Sequence, residues 1–192
     1  MSNFILSFFL ALFKIKAYFI FKRKKVVYSR SIKLKGCPSV CGSGILVLED
    51  NVKINSGKLF NPIGGDTRTC FTLRGGKIII GSNSGLSNCT LVSDKLIKIG
   101  SNVNIGGSVK IYDTDFHSIS PQERFLEKPG EYYGKSVEVI LGDNVFIGAH
   151  SIILKGVTIG DNSIVGAGSV VTKSIPKNQI WAGNPAKYIK DL

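Results

Sequence analysis

The stretch LGDNVFIGAHSIILKGVTIGDNSIVGAGSVV, residues 141–171, repeats with a period of six. A large aliphatic residue recurs in one column, and a smaller residue recurs four places after each of the first five. The first column is Leu141, Ile147, Ile153, Ile159, Val165 and Val171, and the second is Val145, Ser151, Val157, Ser163 and Ser169. A period of six fits neither a helix nor a simple strand. It indicates a solenoid of stacked coils.

A repeat with one large inward residue, one small inward residue and a turn fits a prism with three flat sides. Each side is a short strand, and three sides of six residues make one coil, which stacks on the next by parallel hydrogen bonds at about 4.8 Å. Gly, Asn and Asp recur at the corners and tolerate the positive φ of tight turns. The register returns upstream in the columns Ile99, Ile105, Ile111 and Ile80, Leu86, Val92, and more weakly at Leu48 and Ile54. We therefore predict coils over residues 78–175, with irregular segments at 60–77 and 117–138.

Basic residues concentrate at the N-terminus. Nine of the 25 Lys and Arg residues lie in residues 1–35, and the first acidic residue is Glu49. The remaining 16 basic residues face 13 acidic ones, so residues 36–192 carry a net charge of only +3. A nucleic-acid binder would be expected to spread basic and aromatic side chains over its folded body. No such pattern is present, and we expect no nucleic-acid partner.

The four cysteines are Cys37, Cys41, Cys70 and Cys89. Cys37 and Cys41 form a C-x3-C pair without a second pair of metal-site spacing. An even number of cysteines would fit disulfides in a small secreted chain, but this chain has 192 residues and shows no cleavable signal sequence. We therefore expect reduced thiols in a cytoplasmic protein.

Residues 1–35 form a basic, apolar arm that we predict to be helical, ahead of a domain over residues 36–192. The apolar run from Phe4 to Phe13 is too short to span a bilayer. On a helix, one stripe is small or polar and the remainder is broadly apolar; the stripe is Ser7, Ala11, Lys14, Tyr18, Lys22 and Lys25. Such an amphipathic helix, followed by the basic cluster 22–25, suits residues 4–25 to the inner surface of an anionic membrane. The alternative is that the apolar face packs on the end or side of the fold.

The repeats and the tail AGNPAKYIK, residues 182–190, resemble the hexapeptide-repeat acyltransferases, in particular their sugar and polysaccharide O-acetyltransferase branch. The resemblance covers roughly residues 36–190. It implies an all-β fold, a left-handed parallel β-helix, with a protruding loop at 117–138 and a C-terminal tail at 176–192. It also implies acetyl-CoA as the acyl donor and a homotrimer with active sites between neighbouring prisms. The handedness comes from the resemblance alone, because parallel crossovers are usually right-handed.

Only two histidines are present, and they occupy different places in the repeat. His150 lies at a corner inside IGAHSI, and we interpret it as a solvent-facing corner residue. His117 follows the column ending at Ile111 and opens the long segment 117–138, where function is expected to concentrate. The catalytic histidine of the resembling family occupies such a place. We predict that His117 is the general base that deprotonates an acceptor hydroxyl.

Two aspartates precede this histidine in YDTDFHS, residues 112–118. If the segment is extended, Asp113, Asp115 and His117 point to one side. A carboxylate beside an imidazole fixes its tautomer, so we predict that Asp115 assists His117. A metal cluster and solvated aspartates are the alternatives. The γ-type carbonic anhydrases share this β-helix but need three histidine ligands, so we expect no metal. A serine nucleophile in a strained elbow is not expected, because the serines fall mostly at small packing positions.

The resemblance also implies a donor site along the last coils. The family's NVWIG segment appears as NVFIG, residues 144–148, so that Phe146 would lie along the coenzyme. Gly148 belongs to the same segment, and the backbones of Ala149 and Ala167 would bind the pantetheine arm. Thr172 and Lys173 match contacts near the nucleotide, and Lys187 and Lys190 match residues that meet its phosphates. Ordinary surface charge is the alternative for each lysine.

On the acceptor side, Asn88 resembles a family asparagine that hydrogen-bonds a sugar. Arg124, Tyr132 and Tyr133 lie in the loop and either meet a sugar or hold the loop in place. We therefore expect an acetyl-CoA-dependent O-acetyltransferase acting on a sugar hydroxyl of a surface polysaccharide precursor. The alternatives are the same chemistry on an amino sugar, serine or an antibiotic, and a non-catalytic β-helix scaffold.

Overall fold

The computed structural model describes residues 3–128 and 133–192, and it describes the side chains of the first helix from Leu10 onward. Within these residues the chain is mostly strand. The helices are α1 (Asn3–Arg23) and α2 (Pro121–Leu126), with a 3-10 turn at Pro62–Gly64. The strands are β1 (Val27–Tyr28), β2 (Lys33–Lys35), β3 (Ser39–Leu48), β4 (Lys53–Asn55), β5 (Cys70–Ile80), β6 (Gly85–Ser87), β7 (Thr90–Ser93), β8 (Leu96–Ile99), β9 (Asn104–Ile105), β10 (Lys110–Tyr112), β11 (Val139–Leu141), β12 (Phe146–Ile147), β13 (Ile152–Ile153), β14 (Thr158–Ile159), β15 (Ile164–Val165), β16 (Val170–Val171), β17 (Gln179–Ala182) and β18 (Lys187–Asp191).

The strands pair in parallel ladders that return around each coil. One ladder runs through β2, β4, β6, β9, β12, β15 and β17, and antiparallel β18 adds to its end. The other two share the long strands β3 and β5: the first half of β5 pairs with β7 and the second half with β8. From there one ladder continues to β10, β13 and β16, and the other to β11 and β14. This curled parallel sheet is consistent with a hexapeptide-repeat β-helix.

The coil length agrees with the predicted period. In the last coils, Leu141 lies opposite Ile159 and Ile147 opposite Val165, each pair 18 residues apart. Ile99, in contrast, lies opposite Leu141, which is 42 residues later and therefore 24 residues more than one coil. The additional residues contain the segment 117–138, so this segment is inserted into a single coil between β10 and β11.

The two predicted columns fill the interior. All six aliphatic residues of the first column are buried, as are Ser151, Ser163 and Ser169 of the second. A buried hydroxyl needs a hydrogen-bond partner, and each of these serines donates to a backbone carbonyl. Ser151 Oγ donates to Gly166 O at 3.0 Å, for example, and Ser163 Oγ to Pro176 O at 2.7 Å. The serines therefore have the predicted packing role.

The corners adopt the left-handed backbone conformation where the sequence supplies asparagine. Asn102, Asn144, Asn162 and Asn178 have φ between 58° and 62°, which asparagine tolerates better than most residues. Their side-chain amides form a ladder along one edge, with N···O distances of 3.2, 3.0 and 2.7 Å. His150 has φ 62° and is exposed at such a corner, as predicted.

Helix α1 ends earlier than the predicted arm. Lys25 adopts φ 51°, and the Val26 N–H donates to Phe21 O at 2.9 Å, a hydrogen bond of the kind that terminates helices. Residues 27–28 and 33–35 then form strands that pair with β3 and β4. The first coil therefore begins before residue 36, because the β-branched residues that follow the basic cluster favour a strand.

The two sides of α1 differ in what they contact. Ala17 and Phe21 are buried against the first coils, and Phe21 joins the main core cluster. On the other side Leu12, Ile15 and Phe19 are 45%, 55% and 64% exposed. The inner face therefore packs on the fold, but the helix is apolar on both sides rather than simply amphipathic. Neither helix in the described part of the chain has the length and hydropathy needed to cross a bilayer.

Candidate active site

His117 lies at the point where the chain leaves the solenoid. Strand β10 ends at Tyr112, and Phe116 turns the backbone with φ 64° immediately before the histidine. The Phe116 ring is held between the Tyr112 ring, with centroids 5.3 Å apart, and the guanidinium of Arg74, 5.3 Å from the ring centroid. The strained turn is thus fixed by packing, and it directs the His117 side chain outward, where 61% of it is exposed.

The carboxylate bonded to this histidine is Glu127. His117 Nδ1 lies 2.5 Å from Glu127 Oε2, and Glu127 Oε1 accepts a hydrogen bond from the Ser118 N–H at 2.9 Å. The Glu127 side chain is only 8% exposed. The hydrogen bond from His117, and next the one from the Ser118 N–H, hold the pKa of Glu127 below its ordinary value. Glu127 is therefore an anion that is itself fixed in place, which suits it to orient the imidazole.

Helix α2 sets the position of Glu127. Ser120 caps its N-terminus by accepting from the Glu123 N–H at 3.4 Å, and Pro121 occupies the first turn. The Ser118 hydroxyl donates to the Glu123 carboxylate. Arg124 donates to the carbonyls of Ser118 and Ile119, both at 2.9 Å. Since Glu127 follows α2 directly, these contacts close residues 117–127 into a compact unit around the histidine.

The structure differs from the predicted role of Asp113 and Asp115. The Asp113 carboxylate is buried and accepts from Ser93 Oγ and from the N–H groups of residues 94 and 95, at 2.7 to 2.9 Å. Asp115 Oδ2 instead lies 3.2 Å from Lys155 Nζ. The prediction assumed an extended strand, and the turn at Phe116 breaks its alternation. Sequence spacing gave no sign of Glu127, because its approach depends on the fold of the loop.

The return of the loop passes close to the histidine backbone. A Cβ on Gly134 would lie 2.7 Å from Phe116 N and 2.8 Å from His117 N. The Thr114–Ser136 bridge closes the base of the loop, and the Val137 N–H donates to Asp113 O at 2.8 Å. Tyr133 is exposed and lines a cavity of about 370 Å³ with Glu123 and Leu126. Tyr132 lies outside the described residues.

The residues of the implied donor site fall on neighbouring coils. Phe146 is exposed on β12, between Asn104 of β9 and Ile164 of β15. Gly148 lies directly under Ala167, because a Cβ on Gly148 would be 2.4 Å from Ala167 N. The Ala149 carbonyl accepts from the Gly168 N–H at 2.8 Å. Together these residues form a strip of small side chains beside an exposed aromatic ring, and these residue types fit an extended apolar arm.

The implied nucleotide contacts lie at the C-terminal end. Thr172 and Lys173 follow β16 and are exposed. Lys187 and Lys190 are exposed on β18, which pairs antiparallel with β17, Lys187 opposite Ala182 and Lys190 opposite Ile180. Exposed cations at this end of the strip fit phosphate groups.

Asn88 does not lie as a sugar contact would require. It is buried, its Oδ1 accepts from the Gly57 N–H at 2.7 Å, and its Nδ2 donates to Asn61 O at 2.9 Å. A Cβ on Gly64 would lie 2.4 Å from Asn88 Cβ. In this structure the side chain therefore holds the segment 57–64 instead of facing a ligand. The resemblance could not reveal this, because the segment that covers Asn88 lies outside the repeats.

All four cysteines are free. Among the described residues, no three side chains of His, Cys, Asp or Glu are grouped in a way that could hold a metal ion.

Comparison with known proteins places the fold and the motifs together. A family model described as the hexapeptide repeat of succinyl-transferase matches residues 138–173. The chain is 44% identical over 119 residues to the galactoside O-acetyltransferase of Escherichia coli strain K12, covering 62% of this chain and 56% of the relative. The chain spans about half the length of the curated relatives it matches.

Two solved structures extend the likeness. The maltose O-acetyltransferase of Clostridium difficile 630 is 30% identical with a TM-score of 0.53, over 85% of this chain and 71% of that one. The S84A mutant of AntD, an N-acyltransferase from Bacillus cereus solved with a dTDP-amino sugar and coenzyme A, is 26% identical with a TM-score of 0.66. It aligns over 93% of this chain and 87% of its own. With the six-residue columns and parallel ladders, these similarities show that the chain belongs to the hexapeptide-repeat acyltransferase family.

Proposed function

We propose that this chain is an acetyl-CoA-dependent O-acetyltransferase that acts on a sugar hydroxyl of a surface polysaccharide precursor, on a left-handed β-helix. The observation that carries the proposal is the hydrogen bond between His117 and Glu127 at the entrance of the inserted loop. It gives an exposed imidazole a fixed orientation in the coil next to the donor strip. The similarity to a galactoside and a maltose O-acetyltransferase supports the choice of a sugar hydroxyl.

His117 acts as the general base. A carboxylate on Nδ1 favours the tautomer with the proton on Nδ1, so that Nε2 carries the lone pair that takes the proton of the acceptor hydroxyl. Glu127 then stabilises the imidazolium that forms. Acetyl-CoA supplies the acetyl group as an already activated thioester, so a covalent protein nucleophile is not needed. The same histidine returns its proton to the departing thiol group.

The donor binds along the small-residue strip and its exposed flank. Phe146 would contact the pantetheine arm, while Gly148, Ala149 and Ala167 let it approach the backbone closely. Thr172 and Lys173 lie near the nucleotide, and Lys187 and Lys190 supply charge for its phosphates. The coenzyme A in the AntD structure supports this donor class.

We further propose a homotrimer. On the inserted loop, Ile119, Phe125 and Leu126 are 87%, 91% and 69% exposed. Three large apolar side chains on one exposed segment are better covered by a neighbouring subunit than left in water. Light scattering of the full chain should give three times the monomer mass.

We also propose that the protein is cytoplasmic and peripheral at the inner face of the membrane. Leu12, Ile15 and Phe19 form the outer face of α1, and Lys22 and Arg23 lie at the C-terminal end of the helix. Apolar side chains flanked by cations suit an anionic lipid surface. A second copy fits this face less well, because its own arm would bring the same positive charges.

An amino-sugar acceptor is the second candidate. The similarity to AntD, solved with a 4-amino sugar, favours it specifically. Serine, an antibiotic and a non-catalytic scaffold are further alternatives, with no comparable observation behind them.

A screen of thiol release from acetyl-CoA tests the function. Galactosides, maltose, amino sugars and serine are offered in turn, with mass spectrometry of the product and His117→Ala as the inactive control. Acetylation of a sugar hydroxyl is the expected result. Acetylation only at an amine would establish the second candidate, and no transfer to any acceptor would favour the scaffold.

A further inference from the structure

A second cavity lies away from the candidate active site, between α1 and the segment 56–68. Its volume is about 170 Å³. Helix α1 contributes Phe13 and Lys16, the segment 56–60 forms the opposite wall, and Arg68 and Cys37 complete the lining. None of these residues takes part in the acetyl transfer proposed above.

The rim of the cavity is cationic. Lys16, Lys58 and Arg68 are all exposed there. Asp66 lies 3.4 Å from Lys58 Nζ, but both side chains are largely exposed, so this pair is weak. The ion pairs of the described residues include neither Lys16 nor Arg68. Both of these charges also reach the thiol of Cys37 at the floor, where they oppose the burial that raises its pKa.

The walls and floor are apolar or already satisfied. The Phe13 and Phe60 rings meet edge to face with centroids 6.2 Å apart, and Leu59 is 75% exposed beside them. At the floor, Ser56 Oγ donates to Cys37 O at 3.0 Å and accepts from the Thr69 N–H at 3.1 Å. A ligand would therefore be held by charge at the rim and by apolar contact below it.

Asn88 fixes the wall of this cavity. It binds the Gly57 N–H and the Asn61 carbonyl from a buried position, so the segment 57–61 is held in place before any ligand arrives. A site whose walls are already ordered loses less conformational entropy on binding. This gives a function to the hydrogen bonds that Asn88 makes in place of a sugar contact.

We infer that the cavity binds the phosphate head group of an anionic membrane lipid. The phosphate pairs with Lys16 and Arg68, and the first carbons of the lipid lie against Phe13 and Leu59. Lys16 directly follows Ile15 of the outer face of α1, so a lipid in the proposed membrane contact can enter from that face. The inference goes beyond acetyl transfer and rests on the proposed membrane contact only for the source of the lipid.

Calorimetric titration of the full chain with short-chain lipids tests the site without membranes or acetyl transfer. Monomeric dihexanoyl phosphatidic acid should bind saturably. Dihexanoyl phosphatidylcholine and glycerol 3-phosphate should each bind about tenfold more weakly, because one lacks the net charge and the other lacks the chains. The variant Lys16→Gln with Arg68→Gln should lose about tenfold in affinity for phosphatidic acid, and Leu59→Asp should also weaken it.

The control is Lys53→Gln with Lys98→Gln, which removes two exposed charges on other strands. It should leave the affinity nearly unchanged. Equal losses in both double variants would overturn the site in favour of diffuse attraction. Equal binding of glycerol 3-phosphate would show a free-phosphate site and overturn the lipid assignment, and equal binding of phosphatidylcholine would remove the role of charge. Because acetyl transfer is not measured, failure here leaves the proposed catalysis untouched.

Discussion

His117 Nδ1 lies 2.5 Å from Glu127 Oε2, although ten residues and a complete helix separate the two in the chain. The hydrogen bond joins the first residue of the inserted loop to the end of α2. The geometry of the proposed base therefore depends on the folding of the loop and not on the solenoid alone.

Glu127→Gln should reduce kcat more than Asp115→Asn does. A hydrogen bond to a charged group contributes about 1.5 to 3 kcal/mol, which corresponds to a loss of about 10- to 150-fold in rate. Asp115 pairs with Lys155, so its neutral variant should retain most activity. Steady-state kinetics with the acceptor from the screen measures both variants. A larger loss in Asp115→Asn would return the orienting role to that residue.

The order of the loop should depend on acid pH through Glu127. Because the pKa of Glu127 is lowered in the fold, the interaction stabilises the loop fully above the ordinary glutamate pKa of about 4.3 and is lost as pH falls through the lower folded value. Amide NMR signals of residues 118–127 should shift on acidification in the wild type. In Glu127→Gln they should already differ at neutral pH and should no longer follow this titration. Identical profiles in the two proteins would contradict the assignment.

Lys173→Ala combined with Lys187→Ala should weaken acetyl-CoA binding more than binding of the dephospho form. Both side chains are exposed at the end of the small-residue strip, where the resemblance places phosphate contacts. Calorimetric titration compares the two ligands, with Lys53→Ala and Lys98→Ala as the matched control. Equal losses for both ligands would move the phosphate site elsewhere.

Replacing Ile15 and Phe19 with serine should release the protein from anionic vesicles. These side chains are exposed in the structure, so the fold of the first coils should persist. Each basic residue near an anionic surface contributes about 1 kcal/mol, so binding of the wild type should also fall with salt. Vesicle sedimentation measures both effects, with neutral vesicles as the control. Unchanged sedimentation of the variant would exclude the outer face of α1 as the contact.

The solenoid could be predicted because its pattern is local and repeated. Each of Leu141, Ile147 and Ile153 meets its partner one coil away, so one period determines burial and stacking together. The position of His117 followed from the same pattern, because the loop begins where the repeat stops.

The partners of the functional side chains could not be predicted in this way. Phe116 adopts a positive φ that a residue of its size rarely adopts, and this turn separates Asp115 from the direction of His117. Glu127 and Asn88 make contacts across irregular segments, which have no period to read. The end of α1 at Arg23 depended on a cap at Lys25, a residue type with no strong preference for that conformation.

The rate of acetyl transfer by His117→Ala, measured against pH beside wild type and His150→Ala, tests the central claim most directly. Removal of a positioned general base typically costs about 100- to 10,000-fold, so His117→Ala should lose that much kcat while acetyl-CoA still binds. The wild-type rate should rise with pH as the imidazole loses its proton, and this rise should be absent in His117→Ala. His150→Ala should keep both the rate and the pH profile. Near-normal turnover and an unchanged pH profile in a folded His117→Ala protein would show that the base is another group.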